Sequence, residues 1–359
     1  MGSSMRQTVL VAAIGALALL PQPGPAYADP GITSPSTAGA LAAAMDVPAG
    51  GAQSVRFMKV MFIQGIGSVS ACPNSDNAGE SIPEKKDFVG RLSWLASALA
   101  QQDVGLDSDD FLYYAYRSPY TKNRLCADGE TPNYSERDVC WSLDDVYKVL
   151  FFKKKAVPDG GQATRLASFL RNYLANNPGT NLSIVAHSQG GVLATYTIKE
   201  KLSQDYLDRI KAIVTFDSPL GGILKIAPEG LKIFSKCAGL DRRLDSSFDM
   251  ASGSAVIKRI NDGRDTPSTK LYTISADPGC LKLLVLCTPF PLIPNSHSDV
   301  PSWSKERHPE RHLVVDVKTH SDIWEGRSLP GERLRLVRFT ACAVAELPVD
   351  CKDFAIQPD

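Results

Sequence analysis

Ser188 has the surroundings of a nucleophile. It follows the apolar segment Leu182–His187 and precedes Val192–Ile198, a segment typical of a helix. A strand that turns abruptly into a helix holds the intervening serine in strained backbone geometry, with its oxygen exposed. Such a sharp turn needs small residues two positions to either side, and Ala186 and Gly190 meet that need. The pattern therefore predicts that Ser188 attacks a substrate as a nucleophile.

This turn resembles the nucleophile elbow of the α/β-hydrolase superfamily, particularly that of secreted bacterial lipases, which reads Ala-His-Ser-x-Gly-Gly. Ala186 stands where the superfamily more often carries Gly. A second likeness is Gln64–Gly65, which stands where the family carries the His-Gly of the loop that supplies an oxyanion donor. The resemblance implies that the backbone N–H groups of Ile66 and Gln189 form the oxyanion hole. Each such donor stabilises the transition state by roughly 2.7–4 kcal/mol.

A third likeness is the segment Phe248–Asn261, which resembles the family's Asp-Leu/Met-x-x-Gly-Ser motif followed by a short helix. The residues alone predict a helix there, capped at its N-terminus by Ser252 or Ser254. The matches together extend from Lys59 to about Trp324.

A nucleophilic serine requires a base that takes its proton and a carboxylate that orients the base. In this superfamily the acid, and then the histidine, follow the serine along the chain. The resemblance implies Asp277, which ends a predicted strand, as the acid, and His320, in the loop after the last core strand, as the base. Asp217, which also ends a predicted strand, and His297, which lies in a long segment after Asp277, remain the alternatives.

Short apolar segments alternate with helical ones over the rest of the chain, which predicts a mostly parallel sheet with helices on both faces. The predicted strands are 57–63, 111–117, 182–187, 210–216, 271–275 and 313–317. The predicted helices are 85–102, 163–176, 190–202 and a weaker stretch near 229–238. The fold class is therefore α/β, and the resemblance implies an α/β-hydrolase fold.

Three long segments interrupt this alternation, near 118–161, 221–265 and 277–311. Each follows the carboxyl end of a predicted strand, the edge at which parallel sheets place their sites. Segments of this length usually form lids or walls. We expect them to be loop insertions around the site. The apolar stretch Leu281–Ile293 is either a wall for an acyl chain or a segment that packs on the core.

Composition excludes two classes of protein. The chain has 39 basic and 39 acidic residues, whereas a nucleic-acid-binding protein carries a basic field of its own. Hydrophobic residues make up 43% of the chain, which excludes a disordered protein. We therefore expect no nucleic-acid partner, and the sequence predicts neither a cofactor nor a metal site.

The eight cysteines lack the paired Cys-x-x-Cys spacing of a zinc site. In an oxidising compartment they are expected to form disulfides. Spacing along the chain favours Cys280–Cys287, Cys342–Cys351 and Cys126–Cys140, which leaves Cys72–Cys237.

Residues 1–28 have the pattern of a secretory signal peptide. Arg6 precedes the apolar run Thr8–Leu20, and Ala26 and Ala28 are the small residues before the cleavage point. The run is about 13 residues long, whereas about 20 are needed to span a bilayer. We expect cleavage after Ala28 and secretion. A flexible lead-in over 29–54 and one α/β-hydrolase domain over 55–359 are expected to follow.

These observations predict a secreted serine ester hydrolase, a lipase or carboxylesterase that acts through an acyl-enzyme on lipid-like carboxylic esters. The alternatives are an acyltransferase that uses the same triad and a non-catalytic α/β-hydrolase-like binding protein. We expect a small-molecule or lipid ester as substrate, transient contact with a lipid interface, and a monomer.

Overall fold

Six parallel strands form the central sheet of the computed structural model. In chain order the strands are β1 (Met58–Ile63), β2 (Phe111–Tyr113), β3 (Val146–Val149), β4 (Lys153–Ala156), β5 (Asn181–His187), β6 (Ile210–Phe216), β7 (Lys270–Asp277) and β8 (His312–Asp316). The sheet has the order β2-β1-β5-β6-β7-β8, and each neighbouring pair is parallel. β3 and β4 form a separate antiparallel hairpin.

The helices are α1 (residues 94–100), α2 (Gln162–Asn176), α3 (Gln189–Lys201), α4 (Gln204–Leu207), α5 (Ser246–Asp249), α6 (Ala255–Ile260), α7 (Asp322–Glu325), α8 (Pro330–Val344) and α9 (Cys351–Ile356). The structure describes residues 58–65, 94–102, 104–114, 116, 140–149, 153–223, 245–263, 269–277, 308–316, 322–326 and 330–356. All of them belong to one unit, Val47–Asp359.

The sheet is buried on both faces, as successive residues of β1 show. Val60 and Phe62 belong to a hydrophobic core that includes residues of α1 and α8. Met61 and Ile63 point to the other face and belong to a second core that includes residues of α2 and α3. Strands buried on both faces read as continuous apolar runs, and this is why the sequence predicts them well. The prediction of a mostly parallel sheet with helices on both faces is confirmed.

The strand predicted over 111–117 is shorter than expected. β1 ends at Ile63 and pairs Phe62 with Tyr113, so the residues after Tyr113 have little of β1 left to pair with. Tyr114 and Tyr116 lie beyond the strand and are almost fully buried. These two tyrosines therefore belong to the core.

The sequence pattern failed to predict the helix α8. Its buried face includes Leu336 and Phe339, but three arginines interrupt the apolar pattern. One of them, Arg338, is itself 9% exposed, so the helix buries a residue type that a hydrophobic pattern counts as surface. Pro330 at the first helical position was the available start signal. The β3–β4 hairpin was missed as well, because segment 118–161 has little periodicity.

The predicted disulfide between Cys342 and Cys351 is confirmed, and it joins α8 to α9. Cys140 is also disulfide-bonded, and its partner lies outside the described residues. The pairing of Cys126 with Cys140 therefore stays a prediction. The other cysteines, the N-terminal residues 1–54 and the weak helix near 229–238 also lie outside the described residues. Within the ranges described above, no helix has the length and apolar character needed to cross a membrane.

The first two of the three predicted insertions contact each other. Ser142 Oγ and the backbone N–H of Leu143 both donate to Asp249 Oδ2, at 2.8 and 2.7 Å. Burial raises the pKa of Asp249 to about 6, although these hydrogen bonds oppose the shift. The folded protein therefore holds a proton on this carboxyl more tightly than the unfolded chain does. The contribution of Asp249 to the free energy of unfolding therefore falls as the pH rises from about 4 to about 6.

We expect Asp249→Asn to remove this pH dependence. As the pH rises from about 4 to 7, the free energy of unfolding should shift in favour of the variant relative to wild type, by up to about 3 kcal/mol. Urea unfolding of both proteins at several pH values measures the difference. Asp205→Asn, at an exposed position, is the control and should differ from wild type by a nearly constant amount. A pH-independent difference for Asp249→Asn would contradict the assignment.

Candidate active site

The backbone at Ser188 has the geometry of a strained strand-to-helix turn. Ser188 stands between the last residue of β5 and the first residue of α3, with φ 54° and ψ −124°. A positive φ is costly for a residue with a side chain, so the neighbouring structure must hold it. Its N–H donates to the carbonyl of Phe216 in β6 at 3.0 Å, and the N–H of Gly191 donates to the carbonyl of Ser188 at 3.1 Å. The turn has the local form that the sequence predicts.

Two glycines let the end of β1 approach this turn. A Cβ atom at Gly190 would lie 2.5 Å from the carbonyl oxygen of Ile63. A Cβ atom at Gly65 would lie 2.5 Å from Ser188 Cβ and 3.0 Å from Ser188 Oγ. Both positions therefore require glycine for a steric reason. The chain that follows β1 consequently lies directly against the hydroxyl of Ser188.

Of the two predicted oxyanion donors, Ile66 and Gln189, the structure describes only Gln189. Ile66 follows Gly65 and is outside the described residues. Gln64 is buried, and its carbonyl accepts a hydrogen bond from the hydroxyl of Tyr116. Its side-chain nitrogen is buried with no hydrogen-bond partner among the residues that the structure describes. Gln189 is the first residue of α3, so its N–H has no acceptor within the helix and adds to the positive end of the helix dipole.

The side chain of Gln189 is held from a distant part of the chain. Its Oε1 accepts a hydrogen bond of 3.0 Å from Ser246 Oγ, and both residues are fully buried. Ser246 begins α5 and lies two residues before the segment Phe248–Asn261, which resembles the third family motif. In the same segment Ser254 caps α6, because its side chain accepts from the N–H of Ile257 at 3.1 Å. Of the two predicted capping serines, the structure selects Ser254.

Both candidate acids follow neighbouring strands at the edge that carries Ser188. Asp217 directly follows β6, is buried with φ 44°, and donates its N–H to the carbonyl of Ile274 at 2.7 Å. Asp277 is the last residue of β7 and is paired in register with Asp316 of β8. The side chain of Asp277 is outside what the structure describes. The topology thus brings both aspartates to the edge of the sheet that carries Ser188, and it does not show which of them is the acid.

The candidate bases, His320 and His297, both lie outside the described residues. The segment 317–321, which contains His320, joins the carboxyl end of β8 to α7. Trp324 of α7 stacks on the ring of His187, with centroids 5.1 Å apart and an angle of 14°. His187 directly precedes Ser188, so the chain returns to the elbow shortly after His320. No local pattern in the sequence predicts this stacking.

Among the residues that the structure describes, no three His, Cys, Asp or Glu side chains are grouped as the ligands of a metal ion would be. His312 opens β8, and its Nδ1 lies 2.6 Å from Thr273 Oγ1 of β7. Its role is therefore to link β8 to β7.

Substituting Gly65 tests the close approach to Ser188. An alanine Cβ must push the chain after β1 away from the nucleophile, so Gly65→Ala should lower the rate at which a fluorophosphonate labels Ser188 by about 100-fold or more. Labelling rates measured by gel fluorescence give the comparison. Gly331→Ala is the matched control, because a Cβ there meets nothing within 4 Å, and it should label like wild type. Equal labelling of both variants would contradict the described contact.

The solved structures that are similar to this chain include two lipases and an esterase. The Bacillus licheniformis lipase BlEst2 is 14% identical, with 75% of this chain and 87% of that chain covered and a TM-score of 0.42. Aspergillus fumigatus lipase B is 12% identical, with coverages of 89% and 61% and a TM-score of 0.44. The Pyrobaculum calidifontis esterase is 12% identical, with coverages of 82% and 78% and a TM-score of 0.39. No curated protein sequence matched the chain.

A family model matches the part of the chain that contains the elbow. Residues 160–291 match the family described as "Putative serine esterase (DUF676)". This segment includes α2, β5, the turn at Ser188, α3, β6 and β7. The TM-scores of the solved structures are all below 0.5, so the fold assignment rests on the sheet order and on the turn at Ser188. On these grounds the chain has an α/β-hydrolase fold, and its residues 160–291 are similar to the family described as "Putative serine esterase (DUF676)".

Proposed function

We propose that this protein is a serine ester hydrolase, a lipase or carboxylesterase, that uses Ser188 as its nucleophile. The observation that carries the proposal is the strained turn at Ser188 with Gly65 packed against its hydroxyl. A serine in this conformation at the carboxyl edge of a parallel sheet is the arrangement that acyl transfer needs. The family match over residues 160–291 supports the same chemistry.

The proposed reaction has two halves. His320, oriented by Asp277, takes the proton of Ser188 as its Oγ attacks the acyl carbonyl carbon. The N–H groups of Ile66 and Gln189 stabilise the negative charge on the carbonyl oxygen. His320 then gives the proton to the departing alkoxide, which leaves as the alcohol. In the second half, water loses a proton to His320 and attacks the acyl-enzyme, which releases the carboxylic acid and restores Ser188.

The substrate class and location are part of the proposal. We take the substrate to be a small or lipid-like carboxylic ester and the protein to be a secreted monomer, cleaved after Ala28. The disulfide between Cys342 and Cys351 supports secretion, because disulfides persist in oxidising compartments. Phe248 supports a transient lipid contact. It is 40% exposed on α5, two residues from the serine that contacts Gln189.

We expect Ser188→Ala to abolish hydrolysis of p-nitrophenyl butyrate and labelling by a fluorophosphonate, while the protein remains folded. Without the hydroxyl there is no acyl-enzyme, so the loss of kcat should be at least about 10⁴-fold. Ser168→Ala, at an exposed serine of α2, should keep both activities. Hydrolysis retained in Ser188→Ala would overturn the nucleophile. No labelling of folded wild-type protein would favour a non-catalytic binding protein.

Two pairs of variants test which histidine is the base and which aspartate is the acid. We expect His320→Ala and Asp277→Asn to lower kcat by about 10³- to 10⁴-fold, because each removes a partner needed for proton transfer. His297→Ala and Asp217→Asn are the matched counterparts and should keep kcat within about tenfold. Steady-state kinetics on p-nitrophenyl butyrate measure all four variants. The reverse ranking within either pair would reassign that role.

A further inference from the structure

The hydrogen bond between Ser246 and Gln189 links the nucleophile turn to a helix from another part of the sequence. The two residues are 57 positions apart, both are fully buried, and Ser246 Oγ lies 3.0 Å from Gln189 Oε1. A buried amide oxygen that loses its donor also loses the compensation for its lost hydration. The side chain of Gln189 is therefore fixed in direction as long as Ser246 stays in place.

Ser246 is itself held by backbone contacts on two sides. Its N–H donates to the carbonyl of Cys140 at 2.9 Å. The preceding residue, Asp245, caps α5 by accepting from the N–H and the hydroxyl of Ser247, at 2.8 and 2.6 Å. Asp245 also forms a β-bridge with Trp141. The hydroxyl of Ser246 is thus presented to Gln189 from a fixed backbone.

The segment 140–143, which contacts Ser246, is also bound to the other end of α5. Ser142 Oγ and Leu143 N–H both donate to Asp249, which lies at the other end of α5. The one-turn helix is therefore attached to residues 140–143 at both of its ends. These contacts form a brace, made of residues 140–143 and 245–249, that packs against the first residue of α3.

We propose that Ser246 is a positioning residue that fixes the oxyanion-donating N–H of Gln189 through the side chain of the same residue. The inference rests on the proposed function, in which that N–H stabilises the oxyanion. Small displacements of a donor matter, because charge develops on the carbonyl oxygen only in the transition state. Loss of the Ser246 contact should thus affect kcat and leave KM nearly unchanged.

The test is a comparison of kinetic constants for p-nitrophenyl butyrate. Ser246→Ala should lower kcat by about tenfold, with KM within about twofold of wild type. Ser183→Ala is the matched control: it removes a fully buried serine hydroxyl, but one that donates to the carbonyl of Val344 and not to Gln189. This control should keep kcat within about twofold, even if it lowers the melting temperature.

A double-mutant cycle shows whether Ser246 acts through Gln189. Gln189→Met removes the acceptor while it keeps the backbone N–H and a similar volume. It should lower kcat by about as much as Ser246→Ala does. In the Gln189→Met background, Ser246→Ala should have little further effect, because the contact is already absent. If Ser246→Ala does not fold, Gln189→Met alone breaks the same hydrogen bond and carries the measurement.

The possible failures are distinct. An unchanged kcat in Ser246→Ala, an equal loss in Ser183→Ala, or full additivity in the cycle would overturn the positioning role while the ester hydrolase remains. If wild-type hydrolysis does not depend on Ser188, the proposed function fails, and the positioning role fails with it. A folded Ser246→Ala protein that raises KM tenfold at constant kcat would also overturn the inference.

Discussion

The strained backbone of Ser188 is the constraint on which the rest of the site depends. A positive φ at a serine costs about 1–3 kcal/mol and persists only when the surroundings hold it. The hydrogen bond to Phe216 fixes the turn on one side, and the start of α3 fixes it on the other. Gly190 then allows the turn to pack against the end of β1. The elbow is therefore held by the sheet itself, and the sheet order determines what can surround the hydroxyl.

That order places the candidate groups along one edge. β5 has β1 on one side and β6 on the other, so the chain after β1 and the residue after β6 both lie next to Ser188. β7 and β8 come next, and their ends pair Asp277 with Asp316. Because parallel strands end at the same edge, each insertion that follows a strand begins near the site. One strand order thus places the proposed nucleophile, both candidate acids and the start of the segment that leads to His320 at one edge.

The features that could be predicted from the sequence are those that depend on local patterns of residues. The apolar runs of β5 and β6 and the small residues around Ser188 are local, and the structure reproduces them closely. The helix α8 escaped prediction because Arg338 is buried, and burial depends on packing partners and not on the pattern. The Ser246–Gln189 hydrogen bond and the stacking of His187 on Trp324 join distant positions. No periodicity in one segment can reveal such tertiary contacts.

Polar groups are buried near the elbow, and the hydrogen bonds that they form explain why. Partial burial raises the pKa of Asp249, so the carboxylate form lowers stability at neutral pH. An apolar side chain there would stabilise the fold more simply, but it could not accept from Ser142 and Leu143. Hydrogen bonds fix direction and distance, whereas apolar contacts mainly fix volume. The hydrogen bonds between residues 140–143 and 245–249 therefore fix the direction in which Ser246 meets Gln189, and the carboxyl of Asp249 that accepts two of them lowers stability at neutral pH.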